Sequence, residues 1–387
     1  MPLPDLSRAL LPLTMAATVV AAAISDLPES RTSDSEPDAS YLLYVGAESA
    51  DKLHRIRFGP EGLQVERTID VGELALEIEG PHGIAIDRRG GYLYLTTGHG
   101  LPDGKLWKYE VGADTLVGGP IDIGNFPATV DVTPDGLYAF IVNFNLHGEM
   151  APSSVSVVYT PEMVEVARTE TCTMPHGSRV SPDGHRHFSV CMMDDQLVEL
   201  DAHDFEVSRR FSVARGDEGA LDPENRGHHT HREHGHDAHY RASCSPTWAD
   251  TDPDGARLYV ACNRSDEVLE IDVEGWELLR RFPTGRGPYN LEVTPDGSTL
   301  VVTLKQGNAV ELIDLESGEA RHRSDTSTTV VHGVALSPDS RYAFVSVEGV
   351  GAEPGKVDVF ELESYERVAS VEVGQQASGI AFWKMER

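Results

Sequence analysis

The sequence predicts an all-β protein, a seven-bladed β-propeller, from three observations. A segment of one pattern recurs along the chain: a short strand, a PDG turn, a second strand, a polar loop and a third strand ending in a carboxylate, as in residues 174–201, MPHGSRVSPDGHRHFSVCMMDDQLVELD. The copies recur at the spacing of propeller blades. The two ends of the chain each hold part of one further copy.

The spacing of the copies identifies the architecture. Six copies begin at Pro81, Pro127, Pro175, Pro246, Pro288 and Val331. Successive copies start 42 to 48 residues from one another, except for one interval of 71 residues. Periods of about 40 to 50 residues built from short strands are typical of four-stranded blades rather than helical repeats, and the PDG turns supply the tight reversals that such a sheet needs.

The ends of the chain predict how the ring closes. Residues 41–58, YLLYVGAESADKLHRIRF, have the pattern of the second and third strands of a blade, and QVERTIDVG that of a fourth, but no first strand precedes them. The terminal ASGIAFWK, beginning at Ala377, is a first strand with nothing after it. Pairing the two completes a seventh blade and removes two open sheet edges.

The N-terminal residues are predicted to lie outside the propeller. An apolar run over residues 9–25 follows Arg8 and ends in small residues, which is typical of a secretory signal cleaved near Ala23. Residues 1–25 are therefore interpreted as a signal peptide, residues 26–39 as a disordered acidic linker and residues 40–387 as the propeller. This predicts a periplasmic or secreted protein with no membrane span in the mature chain.

The charge of the chain limits its partners. A formal net charge of -31 argues against nucleic acid and anionic membrane surfaces and indicates an acidic, well-solvated exterior. The sequence contains no GxSxG, HExxH or CxxCH motif and no phosphate-binding glycine loop. The expected partner is a small molecule or a protein bound at the channel mouth; the sequence leaves the oligomeric state open.

Four cysteines, Cys172, Cys191, Cys244 and Cys262, lie between blades three and five. In an exported protein four cysteines allow three disulfide pairings, and the sequence does not choose among them. The alternatives are a disulfide between neighbouring blades, buried thiols, and a thiolate ligand for a metal.

Topology places candidate chemistry at one end of the channel. First strands line a propeller channel, so their starts and the loops between second and third strands share one face. His82, His176 and His332 occupy one repeat position at the start of three first strands. The second-to-third strand loops add the polar residues His99, Asn143, Asn145, His147, Asp194, Asp195, Asn263, Arg264, Lys305 and Gln306.

The long interval between blades four and five carries a histidine tract. Residues 214–242 are predicted to be a mobile insertion over the channel mouth rather than an eighth blade. They contain six candidate metal ligands, His228, His229, His231, His234, His236 and His239. Met150, Met174, Met192 and Met193 map near the same face. Imidazole, thioether and thiolate donors together favour copper, with zinc possible.

The repeats resemble a known family in three stretches, GVALSPDSRYAFVSVEG, LEVTPDGSTLVVTLKQGNAVELIDLESGE and LYVACNRSDEVLEIDVEGWEL. They are similar to YVTN-type β-propellers, which share the lactonase-like seven-bladed fold and include relatives of the propeller domain of nitrous oxide reductase. The resemblance covers residues 41–387. It implies a multi-histidine copper centre at the channel mouth, for which His82, His176 and His332 are the matching positions. The separate cupredoxin domain of that enzyme has no counterpart here.

Two main hypotheses follow for function. The first is an exported propeller with a metal site at the channel mouth, held by His82, His176 and His332 with His99 and His147 nearby, that supports redox chemistry. The second is a non-catalytic propeller that binds a protein or small ligand through the same face. A lactonase-like hydrolase, with Glu348, Asp194 and Arg264 as contributors, is a further alternative.

Overall fold

A computed structural model describes residues 37–74, 76–87, 89–99, 103–224 and 242–387. The predicted signal peptide and most of the predicted linker lie outside the described residues. Of that linker, Ala39 is described, and its side chain is buried in the core cluster at the junction of the first and last blades. No helix within the described ranges is long and apolar enough to cross a membrane.

The chain forms seven antiparallel sheets, which confirms the predicted seven-bladed propeller. The first three blades contain β1 (Ser40–Ala47), β2 (Lys52–Gly59), β3 (Gly62–Asp70), β4 (Pro81–Ile86), β5 (Tyr92–Thr97), β6 (Lys105–Glu110), β7 (Thr115–Leu116), β8 (Ile121–Asp122), β9 (Pro127–Val132), β10 (Tyr138–Asn143), β11 (Pro152–Tyr159) and β12 (Val164–Thr173). A single 3-10 turn, Glu48–Ala50, links β1 to β2. In blade 2 the fourth strand is split, and β7 and β8 both pair with β6.

Blades 4 to 7 follow the same plan. Their strands are β13 (Pro175–Val180), β14 (Arg186–Cys191), β15 (Gln196–Asp201), β16 (Val207–Ser212), β17 (Gly219–Leu221), β18 (Pro246–Thr251), β19 (Arg257–Cys262), β20 (Glu267–Asp272), β21 (Glu277–Pro283), β22 (Pro288–Val293), β23 (Thr299–Leu304), β24 (Ala309–Asp314), β25 (Ala320–Asp325), β26 (Val331–Leu336), β27 (Tyr342–Val347), β28 (Lys356–Glu361) and β29 (Arg367–Glu372). The last strand, β30 (Ala377–Glu386), belongs to blade 1.

The PDG turns connect first and second strands because their side chains bond to the local backbone. In blade 3 the Oδ1 of Asp135 accepts the Oγ1 proton of Thr133 at 2.6 Å and the amide of Leu137 at 3.0 Å. Gly136 follows with a φ of 73°, a left-handed conformation that glycine adopts without a Cβ penalty. The turn therefore reverses the chain within four residues and fixes the register of β9 against β10.

Apolar side chains on both faces of each sheet pack against the neighbouring blades. Between blades 7 and 1, for example, the ring of Tyr342 contacts Tyr41 and Phe58 with centroid separations of 5.1 and 5.0 Å. Burying a large side chain of this kind stabilises a fold by roughly 1.5–3 kcal/mol. The core is thus a ring of inter-blade clusters around a channel lined by first strands.

The ring closes as the sequence predicts. Strand β30 is the innermost strand of blade 1 and pairs antiparallel with β1, with Met385 opposite Tyr41 and Ala377 opposite Ala47. Closure also uses a buried side chain, because the Oγ of Ser378 donates to the carbonyl of Pro81 in blade 2 at 2.7 Å.

The two described ends of the insertion are attached to the propeller, and the predicted mobile insertion over the channel mouth stays a prediction. Residues 219–221 form β17, which adds a fifth strand to the outer edge of blade 4. The returning end is held by Asp195, which accepts hydrogen bonds from the backbone amides of Ser243, Cys244 and Ser245. All six tract histidines lie in residues 225–241, outside the described residues.

Both cysteine pairs form disulfides, Cys172–Cys191 and Cys244–Cys262. The first joins the outer strand of blade 3 to the second strand of blade 4, and the second joins the segment leading into blade 5 to that blade's second strand. The thiolate-ligand interpretation of these cysteines is therefore wrong, because no sulfur is free to bind a metal.

Candidate functional site at the channel mouth

The second residue of a first strand lines the channel mouth in four blades. These residues are His82, His176, Tyr289 and His332. The same position holds Ala128, Thr247 and Ser378 in the other three blades. The three histidines approach one another as predicted from their shared repeat position. The ring centroid of His82 lies 5.3 Å from that of His332 and 6.2 Å from that of His176, in edge-to-face arrangements.

Backbone carbonyls of the next blade orient two of these imidazoles. The Nδ1 atom of His82 lies 2.7 Å from the carbonyl oxygen of Ala128, and that of His176 lies 2.9 Å from the carbonyl oxygen of Thr247. A carbonyl only accepts, so Nδ1 carries the proton, and in the neutral ring Nε2 has a free lone pair. Nδ1 of His332 has no partner within bonding geometry.

Tyr289 connects the histidines across the mouth. Its hydroxyl lies 3.1 Å from Nε2 of His176 and 3.5 Å from Nε2 of His332. Lys305 places its ammonium 4.0 Å from the centroid of the Tyr289 ring and donates to Glu348 Oε1 at 2.8 Å. The mouth thus holds phenol, ammonium and carboxylate groups beside neutral imidazoles.

A second group of side chains borders the mouth at blades 1 to 3. Glu48 accepts a hydrogen bond from Nε2 of His99 at 2.7 Å and another from Gln376 at 3.0 Å. His147 is exposed, and its Nε2 lies 3.4 Å from Nδ1 of His99. These residues extend from a buried carboxylate to the surface.

The mouth contains a cavity of about 220 Å³. Its walls come from six second-to-third strand connections and from the first strands, as topology predicts, and its lining residues are Glu48, His82, His99, Phe126, Phe144, Leu146, His176, Met192, Tyr289, Lys305, His332, Glu348 and Gln376. The cavity is large enough for a hydrated ion or a small organic ligand.

The pKa values of the histidines at the mouth are shifted in opposite directions. Burial, helped by the charges of His82 and Lys305, lowers the pKa of His176 to about 3. Burial and Lys305 also hold the pKa of His332 well below its ordinary value. The hydrogen bond to Glu48 outweighs burial and raises the pKa of His99. The imidazoles of His176 and His332 are therefore neutral at pH 7.

Lys305 keeps its charge despite its burial. Burial acts to lower the pKa of its ammonium, but the interactions with Tyr289 and Glu348 outweigh that effect and raise the pKa. Burial raises the pKa of the Tyr289 phenol, so this residue keeps its proton as well. One fixed cation therefore borders the neutral imidazoles.

Other predicted site residues have structural roles or lie elsewhere. Asp194 accepts the amide of Thr173 at 2.7 Å, and the side-chain amide of Asn143 donates to Ser154 and Ser156. Met174 and Met192 pack against the apolar cluster of Phe126, Ala128 and Phe144. Met150 and Arg264 are exposed and do not line the mouth cavity.

Several residues of the mouth were not predicted from sequence, Tyr289 and Glu48 among them. Tyr289 occupies the same repeat position as His82, His176 and His332, so the alignment contained the signal, but only histidines were selected from it. Glu48 lies in the second-to-third strand connection of blade 1, in the incomplete N-terminal copy, where the repeat pattern is hardest to align. Both residues line the mouth cavity.

Within the described ranges, no group of three or more histidine, cysteine, aspartate or glutamate side chains is already arranged to hold a metal ion. The metal roles predicted for His82, His99, His147, His176 and His332 stay predictions. The roles predicted for the six tract histidines also stay predictions, on residues that the structure does not describe.

No protein-family model and no curated protein matches this sequence. Solved structures match in fold. A protein of unknown function from Desulfotomaculum acetoxidans is 18% identical, with a TM-score of 0.64 over 88% of this chain and 98% of that chain. Hydrazine synthase of Kuenenia stuttgartiensis is 14% identical, with a TM-score of 0.60 over 88% and 100%.

A putative 6-phosphogluconolactonase from Bacteroides fragilis is 12% identical, with a TM-score of 0.66 over 90% of this chain and 99% of that chain. At such identities the likeness shows the fold alone. The protein is therefore a seven-bladed β-propeller with a polar site at the channel mouth and a lactonase-like structural neighbour.

Proposed function

We propose that this propeller binds a divalent transition-metal ion at the channel mouth through His82, His176 and His332. One observation carries the proposal: the Nδ1 atoms of His82 and His176 are held by carbonyls of the next blade, which leaves their Nε2 atoms as ligands. Metal-binding histidines almost always donate their other ring N–H to such a group.

The spacing of the rings is close to that of a shared ion. Three imidazoles that hold one ion through nitrogen atoms at about 2.0–2.1 Å would have ring centroids roughly 5–5.5 Å apart. The separation of the His82 ring is 5.3 Å from the His332 ring and 6.2 Å from the His176 ring. Binding therefore requires His176 to move towards the other two rings and to exchange its contact with the Tyr289 hydroxyl for the ion.

The donor atoms at the mouth also favour copper, but for a reason that differs from the one drawn from sequence. The cysteines are in disulfides, and Met174 packs against an apolar cluster. Apart from the Met192 thioether, the donors that line the mouth are imidazole nitrogens and oxygens, among them the oxygens of Tyr289 and Glu348. Nitrogen and oxygen sites bind Cu²⁺ more tightly than Zn²⁺ in the Irving–Williams order, so copper stays preferred and zinc possible.

The positive charge of Lys305 allows metal binding at the mouth to be tested by substitution. Its ammonium opposes a cation at the axis, so Lys305→Met should raise Cu²⁺ affinity about tenfold, whereas His176→Gln should lower it at least tenfold. Both variants would be made in a chain lacking residues 225–241, so that the histidine tract contributes no ligands. Isothermal titration calorimetry gives the affinities. Unchanged binding in His176→Gln would contradict the proposal.

The same lysine favours a second candidate function, hydrolysis of a small lactone or ester. Here the neutral imidazole of His332 would accept a proton from water, while the Lys305 ammonium would stabilise the oxyanion that forms on the carbonyl oxygen. The lactonase-like neighbour makes this class of substrate the first to try. In this case Lys305→Met would abolish turnover rather than strengthen ligand binding.

We also propose that the protein is exported, as a YVTN-type propeller related to the propeller domain of nitrous oxide reductase. Disulfides persist in oxidising compartments such as the periplasm, and two are present in the described part of the chain. Recovery of the mature chain in the periplasmic or extracellular fraction, with a new N-terminus near residue 24, would support export. Recovery of the full-length chain in the cytoplasm would contradict it.

A further inference from the structure

A second cavity lies in the channel beyond the histidine layer. It has a volume of about 210 Å³, and His82 and His332 line both this cavity and the mouth, so they mark the boundary between the two. We call it the lower chamber. Its walls include the fifth residues of first strands, which lie near the PDG end of the channel.

The fifth positions divide the lower chamber into two sides. Blades 3, 4 and 6 supply Asp131, Arg179 and Glu292, while blades 7, 1 and 2 supply Ala335, Ala381 and Ala85. The fifth residue of blade 5, Asp250, does not line the chamber but contacts Arg179. The alanine side continues into apolar neighbours, among them Ile84, Val334, Ile380 and Phe382. One wall is therefore charged and the opposite wall is apolar.

The charges on the first wall do not cancel. The Nε atom of Arg179 lies 2.8 Å from Oδ1 of Asp250. Asp131 accepts the amides of Val132 at 2.9 Å and Val180 at 2.7 Å, which fix its carboxylate without neutralising it. With Arg179 set against Asp250, the charge of Asp131 remains, and Glu292 adds a titratable carboxyl on the same wall.

Glu292, in blade 6, faces three charged side chains: Arg179 of blade 4, Asp250 of blade 5 and Asp131 of blade 3. Burial raises the pKa of Glu292 to about 8, with Asp250 adding to the shift and Arg179 opposing it. Near pH 7 this carboxyl is mostly protonated, and a cation placed beside it would favour its ionised form. The indole of Trp248 also lines the chamber, and its Nε1 has no hydrogen-bond partner.

We propose that the lower chamber binds a small organic cation, an alkylammonium or alkylguanidinium, with its charged head at Asp131 and Glu292 and its alkyl part against the alanine wall. A cavity with excess negative charge attracts a cation, and the apolar wall selects one with a hydrocarbon tail over a hydrated inorganic ion. The aromatic ring of Trp248 also lines the chamber and is available for contact with the head group. The proposal is independent of metal binding at the mouth.

Butylguanidinium is a suitable probe because it stays charged across the pH range used. We expect it to bind the full chain about tenfold tighter at about pH 9 than at about pH 6.5, because Glu292 ionises between them. Butanol and butyrate, which share the alkyl tail without the positive charge, should bind at least tenfold more weakly. Equal binding of butanol would overturn the proposal.

Two variants test whether butylguanidinium binds in the lower chamber. Glu292→Gln mimics the protonated acid, so it should bind butylguanidinium like the parent at about pH 6.5 and lose the gain at about pH 9. Ala381→Leu should fill the apolar side and weaken binding at both pH values. His176→Gln, which changes a residue that lines the mouth and not the lower chamber, should change neither and serves as the control that separates this site from the metal site. A full pH gain in Glu292→Gln, or unchanged binding in Ala381→Leu, would overturn the assignment.

Discussion

His187 is a buried residue whose chemistry conflicts with its surroundings. Its side chain is fully buried, both ring nitrogens lack hydrogen-bond partners, and the ring stacks on Phe140 with a centroid separation of 4.7 Å. The equivalent positions in blades 5 and 6 hold Leu258 and Leu300. The repeat therefore favours an aliphatic side chain at a place where this blade has an imidazole.

His187→Leu should stabilise the protein. Leaving a buried polar group without partners costs about 1–3 kcal/mol, and leucine removes that cost at similar volume. We expect the free energy of unfolding to rise by about 1–2 kcal/mol in urea denaturation. The reciprocal change in blade 6, Leu300→His, is the matched control and should lower it by at least about 2 kcal/mol. A loss of stability in His187→Leu would point to a partner for the imidazole.

At the scale of elements, strand β30 should dominate the stability of the ring. Deleting residues 374–387 exposes β1 and β4 along the channel and should remove about 5 kcal/mol or more, a large share of the 5–15 kcal/mol typical of folded domains. Deleting only residues 384–387, which pair with residues 40–42, should cost no more than about 2 kcal/mol. Thermal melts compare the two, and equal melting temperatures would contradict closure by this strand.

The elements also show what the sequence could and could not predict. Repeated PDG turns and the divided copy at the chain ends were enough for seven blades and their closure, because each copy carries the same turn chemistry. The pairing of Cys172 with Cys191 was not decidable, because it depends on how blade 3 meets blade 4. Strand β17 is three residues long and carries no alternating pattern, so nothing local indicates that it joins the edge of blade 4.

For the whole molecule, buried histidines should make stability depend on pH. Burial lowers the pKa of four histidines below the ordinary 6.5: His54, His176, His187 and His332. Below pH 6.5 the unfolded chain binds protons that the folded chain excludes, so their contribution to stability is present above that pH and is lost on acidification. Asp250, Glu292 and His99 have raised pKa values and act in the opposite direction.

The four depressed histidines outnumber the three opposing groups, so the free energy of unfolding should fall as the pH is lowered from about 6.5 to about 4.5. Urea denaturation at a series of pH values measures this. In His187→Leu the fall should be shallower, by the equivalent of one proton. A pH profile identical to that of the parent would show that His187 titrates normally in the folded protein.

The position of the polar site could be predicted from sequence, but the full set of side chains that form it could not. Topology brought the starts of the first strands to one mouth, and His82, His176 and His332 do approach one another there. The contacts of Tyr289 with two of them, and the charge of Lys305 beside that phenol, depend on side-chain packing across three blades. The four cysteines form disulfides and are not thiolate ligands, which their spacing in the sequence could not indicate.

The measurement that tests the metal site most directly is anomalous diffraction from crystals of the chain lacking residues 225–241, grown with Cu²⁺ and recorded at the copper absorption edge. The account predicts one strong anomalous peak on the channel axis, about 2.0–2.1 Å from the Nε2 atoms of His82, His176 and His332. An empty mouth, with copper bound only at surface histidines, would contradict it.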